Sequence, residues 1–270
     1  MNITIQVTCK DRHTELALLI QSLRTQTFKN WDIVILDECQ TPIETNYFLA
    51  NLLNRIKIEG HHVNLIKNDL LLGVCNARNK LKKEDYFNNE FVLRVDDDVV
   101  LEQDYIRKLL DVINLGYDIA SGITPLLGKP LFKRDIKKVK PIINRKELDE
   151  EGNIIYYGDD CGYGYLQEEI LPAHEFRSCG LFKKKVYDSI DYEPNLSFVG
   201  FREEAFFSLR ALWKGFKIGV HTGAIAWHFA TPSGGCRVLD YQQKVKSDNE
   251  YFYKWTKQMY KKHGDFNGKV

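Results

Sequence analysis

The sequence predicts one α/β domain in which helices cover both faces of a mostly parallel sheet. Three observations lead to this prediction. Apolar strand-like runs alternate with amphipathic helical segments over residues 1–120, which is the pattern of linked β-α-β units. Several runs end in carboxylates, as strands do at a ligand-binding sheet edge. A chain of 270 residues with 44% hydrophobic residues can also bury one sizeable core.

Periodicity predicts the elements of the first half. Leu16, Leu19, Ile20 and Leu23 recur at helical spacing between two β-branched apolar runs, and Gly73 marks the turn before a later helical segment. The predicted strands are residues 2–8, 32–36, 63–67 and 91–95, and the predicted helices are residues 15–25, 47–56, 74–81 and 103–115.

Residues 128–173 interrupt this alternation. Their first half is basic, and an acidic run at 147–151 precedes a glycine- and tyrosine-rich stretch at 156–165. Long irregular segments in compact domains are usually functional lids or disordered, so we expect a variable insertion, with a hairpin as one interpretation, that concerns the acceptor. A solvated charged lid is the alternative meaning of its basic residues, which are Lys133, Arg134, Lys137, Lys138, Lys140, Arg145 and Lys146.

Regular structure is predicted to return after the insertion and to end in one long helix. Regular structure is predicted to return at residues 177–186, with a helix at 203–214 and a strand at 217–221. We therefore predict a domain over residues 1–240 and a helical extension over residues 241–270 that packs on it. In the helix at 241–263, Phe252, Trp255 and Met259 share one face. Docking on the core explains this face, and peripheral contact with an anionic membrane is the alternative.

Charge and cysteine content exclude several classes of protein. The 38 basic and 37 acidic residues leave a net charge of +1, which names no polyanionic partner and gives no strong nucleic-acid signal. Six cysteines without a C-x-x-C pair argue against a zinc knuckle or a disulfide framework. Neither a signal peptide nor a run of roughly 20 apolar residues is evident. We expect a cytoplasmic protein, peripheral at a membrane at most, and the sequence predicts no oligomeric state.

Three consecutive aspartates, Asp96, Asp97 and Asp98, follow a predicted buried strand. Ligands of open α/β sheets bind outside the carboxyl ends of the strands, so these side chains point into the default site. Adjacent carboxylates repel one another unless a cation, arginines or solvent neutralises them. Mg²⁺ or Mn²⁺ held by one or two carboxylates and substrate phosphates would supply that charge. A solvated turn that caps the next helix is the alternative.

Further polar clusters belong to the same predicted sheet edge. One follows the first strand, one follows the second, and one opens a helix just after Gly73. Each alone would be an ordinary cap or turn. Together they predict a shared site, and their members are Asp11, Arg12, Asp37, Glu38, Asn76, Arg78 and Asn79.

These segments, taken in order, resemble glycosyltransferase family two. No single motif is specific, because D-x-D occurs by chance, but the ordered set spans residues 3–237 around the insertion. The resemblance implies a GT-A fold, with a Rossmann-like central sheet, a small acceptor-side subregion and a C-terminal helix. The matching segments are VTCKDR at 7–12, SLRTQTFKNWDIVILD at 22–37, ND at 68–69 with Gly73, NARN at 76–79, the D-x-D motif at 96–98, SCGLF at 178–182, and GFREE at 200–204 with SLR at 208–210.

The resemblance also implies residues that contact the donor. Asp37 would bind the base or ribose of a nucleotide-sugar, Asp11 would lie near the base, and Arg78 would contact the donor. Small residues at 231–235 precede Arg237, which suits either a loop that closes over a diphosphate or a plain surface turn. The other positions predicted to face the donor are Arg12, Asn76, Asp96 and Asp97.

A metal site is implied at the D-x-D motif. Asp98 would hold the ion with Asp96, and His228 resembles the histidine that completes this site in many members. Without the resemblance, a histidine beside Trp227 would be a core residue. Carboxylates with one imidazole suit Mn²⁺ or Mg²⁺.

The implied reaction, transfer with inversion, needs a carboxylate to take the proton of the acceptor hydroxyl. Glu204 aligns with the family's usual aspartate, and Glu203 is the second candidate. The alternative is that both only favour a helix N-terminus electrostatically.

The predicted activity is therefore transfer from a nucleotide-sugar, most readily a UDP-sugar, to a glycan, lipid-linked or other hydroxyl acceptor. A nucleotidyltransferase is a second interpretation, although Lys10-Asp11-Arg12 lacks the glycines of a triphosphate loop. A non-catalytic nucleotide-sugar-binding module is the third.

Overall fold

The computed structural model describes residues 1–135, 142–158 and 160–266. Lys137, Lys138 and Lys140 of the basic run lie outside these residues. The strands are β1 (Ile3–Cys9), β2 (Trp31–Asp37), β3 (Val63–Lys67), β4 (Phe91–Asp96), β5 (Val99–Leu101), β6 (Ile119–Ile123), β7 (Lys133–Arg134), β8 (Arg145–Leu148), β9 (Ile154–Gly158), β10 (Gly164–Tyr165), β11 (Ile170–Ala173), β12 (Gly180–Lys183) and β13 (Ile218–His228). The helices are α1 (His13–Arg24), α2 (Tyr47–Ile58), α3 (Val74–Glu84), α4 (Tyr105–Asn114), α5 (Lys184–Asp188), α6 (Glu203–Trp213) and α7 (Tyr241–His263), with one 3₁₀ turn at Ile43–Thr45.

The central sheet confirms the predicted α/β class. Its order is β11-β13-β6-β12-β4-β1-β2-β3, with β5 paired to β13. The strands β4, β1, β2 and β3 are parallel to one another, whereas β12, β11 and β5 run antiparallel to their neighbours. In this register Thr8 lies opposite Asp96 and Cys9 opposite Asp37. The polar ends of β1, β2 and β4 therefore meet at one sheet edge.

Successive side chains of a strand point to opposite faces of the sheet, so one strand contributes to two layers of the core. In β2, Ile33 and Ile35 pack on the face covered by α1 and α2, and Val34 and Leu36 pack on the opposite face with α3. All four side chains are fully buried. Burial on both faces is why the run is continuously apolar, as is usual for parallel strands between helices.

The strand β13 differs from its predicted bounds. The strand expected at 217–221 continues to His228, because β13 also pairs with β6 and β5 beyond Val220. This extension carries His228 to the sheet edge, where it lies opposite Val99. The insertion contains the expected hairpin, formed by β8 and β9.

Helix α7 packs its apolar face on the core. Phe252 and Trp255 are buried, and their rings contact Phe206, while Trp255 also meets Trp213 edge to face. These two side chains are therefore packed on the core, as the docking interpretation expects, and membrane contact by this helix stays a prediction. Among the described residues, no helix has the length and apolar character needed to cross a membrane.

Candidate active site

A cleft of about 620 Å³ opens at the carboxyl ends of β1 and β4. Ten of the residues predicted from the sequence line it: Arg12, Glu38, Arg78, Asp96, Asp97, Asp98, Glu203, Glu204, His228 and Arg237. Asp11, Asp37 and Asn76 are not among its lining residues. The cleft thus unites both predicted halves of the site, the aspartate run and the paired glutamates.

Asp37 and Glu38 share the end of β2 but have different surroundings. The Asp37 carboxylate is buried and accepts hydrogen bonds from the backbone N–H groups of Cys39 and Ile43, both at 2.9 Å. It therefore holds the turn after β2. Glu38 lines the cleft, and burial raises its pKa. A donor contact by Asp37 stays a prediction, and Glu38 is the neighbouring carboxylate that faces the cleft.

Asp11 and Asn76 are also engaged near the cleft edge. Asp11 accepts a 2.7 Å hydrogen bond from the Gln40 N–H, and Asn76 donates to the Leu72 carbonyl at 3.3 Å. Their proposed donor contacts stay predictions.

Asp96, Asp98 and His228 form a set of metal-ligating groups. One ligand atom from each lies within 4.8 Å of the others. Their positions follow from the fold, because Asp96 ends β4, Asp98 follows in the turn to β5, and His228 ends β13. The His228 Nε2 lies 3.3 Å from the Asp98 carboxylate. Two carboxylates and one imidazole are a donor set that Mn²⁺ and Mg²⁺ accept.

The charges of this set perturb one another. Burial opposes ionisation of Asp98, but the hydrogen bond from His228 and the charges of His228 and Arg12 outweigh it and lower the Asp98 pKa. Burial also opposes protonation of His228, but Asp98 raises the His228 pKa. A divalent cation would replace the proton on His228, so such a site must bind metal more tightly as pH rises.

Arg12 joins the aspartate run to the loop after β13. Its guanidinium lies 2.9 Å from Asp97 and 3.1 Å from Asp98, and it donates to the carbonyls of Thr231 and Ser233. Burial raises the pKa of Asp97 to about 7 despite this pairing. The Arg12 side chain, which was predicted to face the donor, is thus largely occupied by contacts within the protein.

Glycines let residues 231–237 lie against the end of β1. Gly234 and Gly235 have φ of +69° and +53°, and the Gly235 N–H donates to the Lys10 carbonyl at 2.8 Å. A Cβ on Gly235 would lie 2.8 Å from the Arg12 guanidinium carbon. The loop ends with the Arg237 guanidinium over the Tyr241 ring, 4.9 Å from its centroid.

The paired glutamates begin α6 but are not equivalent. Glu203 is buried and pairs with Arg78 and with Arg94, the latter at 2.8 Å. Glu204 pairs with Arg94 at 3.2 Å and accepts a 3.3 Å hydrogen bond from the Ser178 N–H. The exposed fraction of the side chain is 4% for Glu203 and 21% for Glu204. Glu204 is therefore the carboxylate with the more open approach from the cleft.

Arginines determine the ionisation of Glu204. Burial opposes the charged form, but Arg94, Arg78 and Arg177 outweigh it and lower the Glu204 pKa. Arg78 also lies 2.8 Å from Asp96, so it links the aspartate run to the glutamate pair.

Sequence reasoning missed two cationic residues of this site. Arg94 is buried in β4 and faces both glutamates, and Arg177 lines the cleft beside Asp160, 3.0 Å away. A charged residue within the apolar run Val92-Leu93-Arg94-Val95 is a signal that could have identified Arg94, because a buried charge requires a partner.

Comparison with solved structures shows the same fold in known proteins. GalNAc-T7, solved with UDP, GalNAc and Mn²⁺, aligns over 94% of this chain and 50% of its own with 13% identity and a TM-score of 0.66. TarS of S. aureus aligns over 92% of this chain and 39% of its own, with 13% identity and a TM-score of 0.59. A shorter form of TarS, residues 1–349 with UDP-GlcNAc, aligns over 84% and 57%, with 14% identity and a TM-score of 0.55. The chain therefore spans about two fifths to three fifths of the structures it matches.

Sequence comparison gives the family. No curated protein matches the chain. The model of the family described as glycosyl transferase family 2 matches residues 4–190, which is more than half of the chain and includes the aspartate run. On this match, the chain is a member of glycosyl transferase family 2.

Proposed function

We propose that this chain transfers a sugar from a nucleotide-sugar to a hydroxyl acceptor, with inversion at the anomeric carbon and with the help of a divalent cation. The observation that carries the proposal is the shared cleft, in which a metal-ligating set and an ionised glutamate are linked through Arg78 and Arg94.

A UDP-sugar is the proposed donor. GalNAc-T7 was solved with UDP and TarS with UDP-GlcNAc, and both share this fold. The cleft offers Arg78 and Arg237 for a diphosphate, and guanidinium groups suit phosphate oxygens because they donate in pairs. Glu38, Asp11 and Asp37 lie at the β1 and β2 ends, where we propose that the base and ribose bind.

Asp96, Asp98 and His228 are the proposed metal ligands, with Mn²⁺ or Mg²⁺ as the ion. When bound, such a cation stabilises the negative charge of the departing diphosphate. Asp97 is held by Arg12, so we assign it to positioning rather than to ligation.

Glu204 is the proposed general base. Its lowered pKa keeps it as a carboxylate near neutral pH, which is the form that accepts a proton. As the acceptor oxygen bonds to the anomeric carbon, its proton moves to Glu204 and the bond from that carbon to the diphosphate oxygen breaks. Glu203 is enclosed by Arg78 and Arg94, and we assign it to holding those cations.

Hydrolysis or transfer of a UDP-sugar with and without EDTA tests the proposal. We expect chelation to remove activity and Mn²⁺ to restore it. The Glu204→Gln variant should lose about 10²- to 10⁴-fold in rate, which is the usual contribution of a positioned base. Full activity in that variant would exclude Glu204 as the base, and indifference to EDTA would exclude the metal.

Two other functions predict different results in the same assay. A nucleotidyltransferase would form a nucleotide-sugar from a nucleoside triphosphate and a sugar phosphate. The turn after β1 disfavours this, because Lys10-Asp11-Arg12 contains no glycine and Arg12 is tied to Asp97. A binding module would retain tight UDP binding with zero turnover.

A further inference from the structure

An apolar rim borders the insertion side of the cleft. It consists of five exposed side chains on two segments: Leu126, Leu127, Phe132, Tyr163 and Leu166. Phe132 and Leu166 are the most open of these, with exposed fractions of 67% and 61%. Exposed large apolar side chains grouped in this way typically mark an interaction surface.

Backbone pairing makes the two segments one surface. The strands β7 and β10 pair with Lys133 opposite Gly164, and the Leu166 N–H donates to the Arg134 carbonyl at 3.0 Å. The Arg134 guanidinium lies over the Tyr163 ring, 4.6 Å from its centroid. Phe132 and Leu166 therefore flank the same short pair of strands.

The first segment of the rim carries positive charge. Residues 126–134 contain Lys129, Lys133 and Arg134 but no aspartate or glutamate. Both lysines are exposed, and within the part of the chain that the structure describes neither forms an ion pair or a side-chain hydrogen bond. Beside the second segment, Asp160 pairs with Arg177 at 3.0 Å and Glu168 with Lys108 at 3.2 Å, while Glu169 is exposed.

The rim is continuous with the candidate active site. Leu126 and Tyr163 line the cleft. The Leu127 N–H donates to the carbonyl of His228, and the His228 N–H donates to the carbonyl of Pro125, both at 2.9 Å. A partner bound to the rim would thus lie beside the cleft mouth.

We propose that the apolar rim and its lysines dock on an anionic lipid bilayer. Apolar side chains beside unpaired lysines match such a surface, because the former enter the boundary between headgroups and acyl chains while the latter meet lipid phosphates. A protein partner with an acidic surface is the alternative occupant, and absence of flotation by the unmodified chain would favour it. The surface is distinct from α7, whose Phe252 and Trp255 are buried. Docking places the cleft mouth at headgroup level, and if the proposed transfer holds, an acceptor carried by a membrane lipid reaches Glu204 from this side.

Flotation with vesicles tests the surface without any assay of turnover. The intact chain is mixed with vesicles of phosphatidylcholine, either alone or with phosphatidylglycerol. We expect it to float with the anionic vesicles, to float less with the neutral ones, and to be released by salt. The double variants Phe132→Ser/Leu166→Ser and Lys129→Glu/Lys133→Glu should each lower the bound fraction by about tenfold or more.

A matched control tests whether loss of any two exposed apolar side chains would reduce flotation. Phe48 in α2 and Leu70 after β3 are exposed to 66% and 73%, and β3 lies at the opposite end of the sheet order from β11 and β13, so Phe48→Ser/Leu70→Ser should float like the unmodified chain. All variants should keep the unmodified circular dichroism spectrum and UDP affinity.

Three results would overturn the proposal. They are absence of flotation by the unmodified chain, normal flotation of Phe132→Ser/Leu166→Ser, and a dimer in sedimentation that this variant dissociates, which would assign the rim to a second copy. A chain that floats but never transfers sugar would instead contradict the proposed function and leave the docking surface standing.

Discussion

The Arg94 guanidinium lies 3.2 Å from the Glu204 carboxylate, with Arg94 buried within β4 and Glu204 at the start of α6. The same guanidinium lies 2.8 Å from Glu203 and 3.8 Å from Asp96. One buried cation in the sheet thus contacts both the proposed base and the aspartate run. The proposed chemistry therefore depends on a side chain that lies beneath the cleft.

Replacement of Arg94 should destabilise the fold. In Arg94→Met, Glu203 and Glu204 lose a buried cation, and we expect the free energy of unfolding to fall by about 3–5 kcal/mol. Urea unfolding measures this change. The control is Arg107→Met, since Arg107 is 52% exposed and its pairs with Asp104 and Asp111 should contribute less than about 1 kcal/mol. Equal losses in the two variants would contradict the assigned role of Arg94.

Variants of the two glutamates should differ in their effects on stability and on catalysis. Glu203→Gln leaves Arg78 and Arg94 short of a buried counter-charge, so it should lower the free energy of unfolding by about 3 kcal/mol. Glu204→Gln removes a partly open carboxylate and should cost less stability but more turnover. The free energy of unfolding and the transfer rate of each variant check this. The rates are measured at a temperature where both variants are folded. A reversed pattern would make Glu203 the base.

The parallel half of the sheet was predictable, because β2 and β4 are mostly apolar runs buried on both faces and because strand-like runs alternate with helical segments. The predicted strand at residues 63–67 and the helix at 241–263 coincide with β3 and α7. The short strands β5, β7 and β10 could not be predicted, since two or three residues carry no periodicity and their pairing depends on tertiary context.

The site was predictable as a set of residue types but not as contacts. Strand ends and family motifs identified the aspartate run and the glutamates. That Arg94 serves Glu203 and Glu204 depends on a contact between residues 109 and 110 positions apart, which no local pattern encodes. Likewise, Asp37 and Glu38 are adjacent in sequence, and the hydrogen bonds of the turn decide which one faces the cleft.

Acid should destabilise the chain through His174. This side chain is buried, and burial together with the charge of Lys146 lowers its pKa to about 4. Between about pH 6.5 and pH 4 the unfolded chain binds a proton that the folded chain does not, so stability present above pH 6.5 is lost on acidification. At pH 5 the loss in the free energy of unfolding is about 2 kcal/mol relative to neutral pH.

The non-titrating variant His174→Gln isolates the stability that is lost when His174 titrates, because its amide carbonyl can still accept a hydrogen bond from the Lys146 N–H. Urea unfolding at pH 7 and pH 5 should show a smaller decrease for the variant than for the unmodified chain. Parallel decreases would show that His174 does not titrate as described.

The loop at 231–237 should respond to a methyl group at Gly234. A Cβ there would lie 2.8 Å from both the Arg12 Cγ and the Lys10 carbonyl oxygen, so the loop must shift in Gly234→Ala. We expect a weaker apparent affinity for the donor, seen as an increased KM, in a folded protein. Gly215→Ala is the control, because Gly215 also has positive φ but no atom near its Cβ position. It should lose about 1 kcal/mol of stability with KM unchanged.

Calorimetric titration of UDP with and without Mn²⁺, on the unmodified chain and on Asp98→Asn, tests most directly whether strand-end carboxylates and a nucleotide diphosphate share one cation. We predict that UDP binds the unmodified chain tightly with Mn²⁺, weakly in EDTA, and weakly under both conditions to Asp98→Asn, while Glu204→Gln binds normally. UDP affinity that is the same in EDTA and in Asp98→Asn as in the unmodified chain with Mn²⁺ would contradict the account.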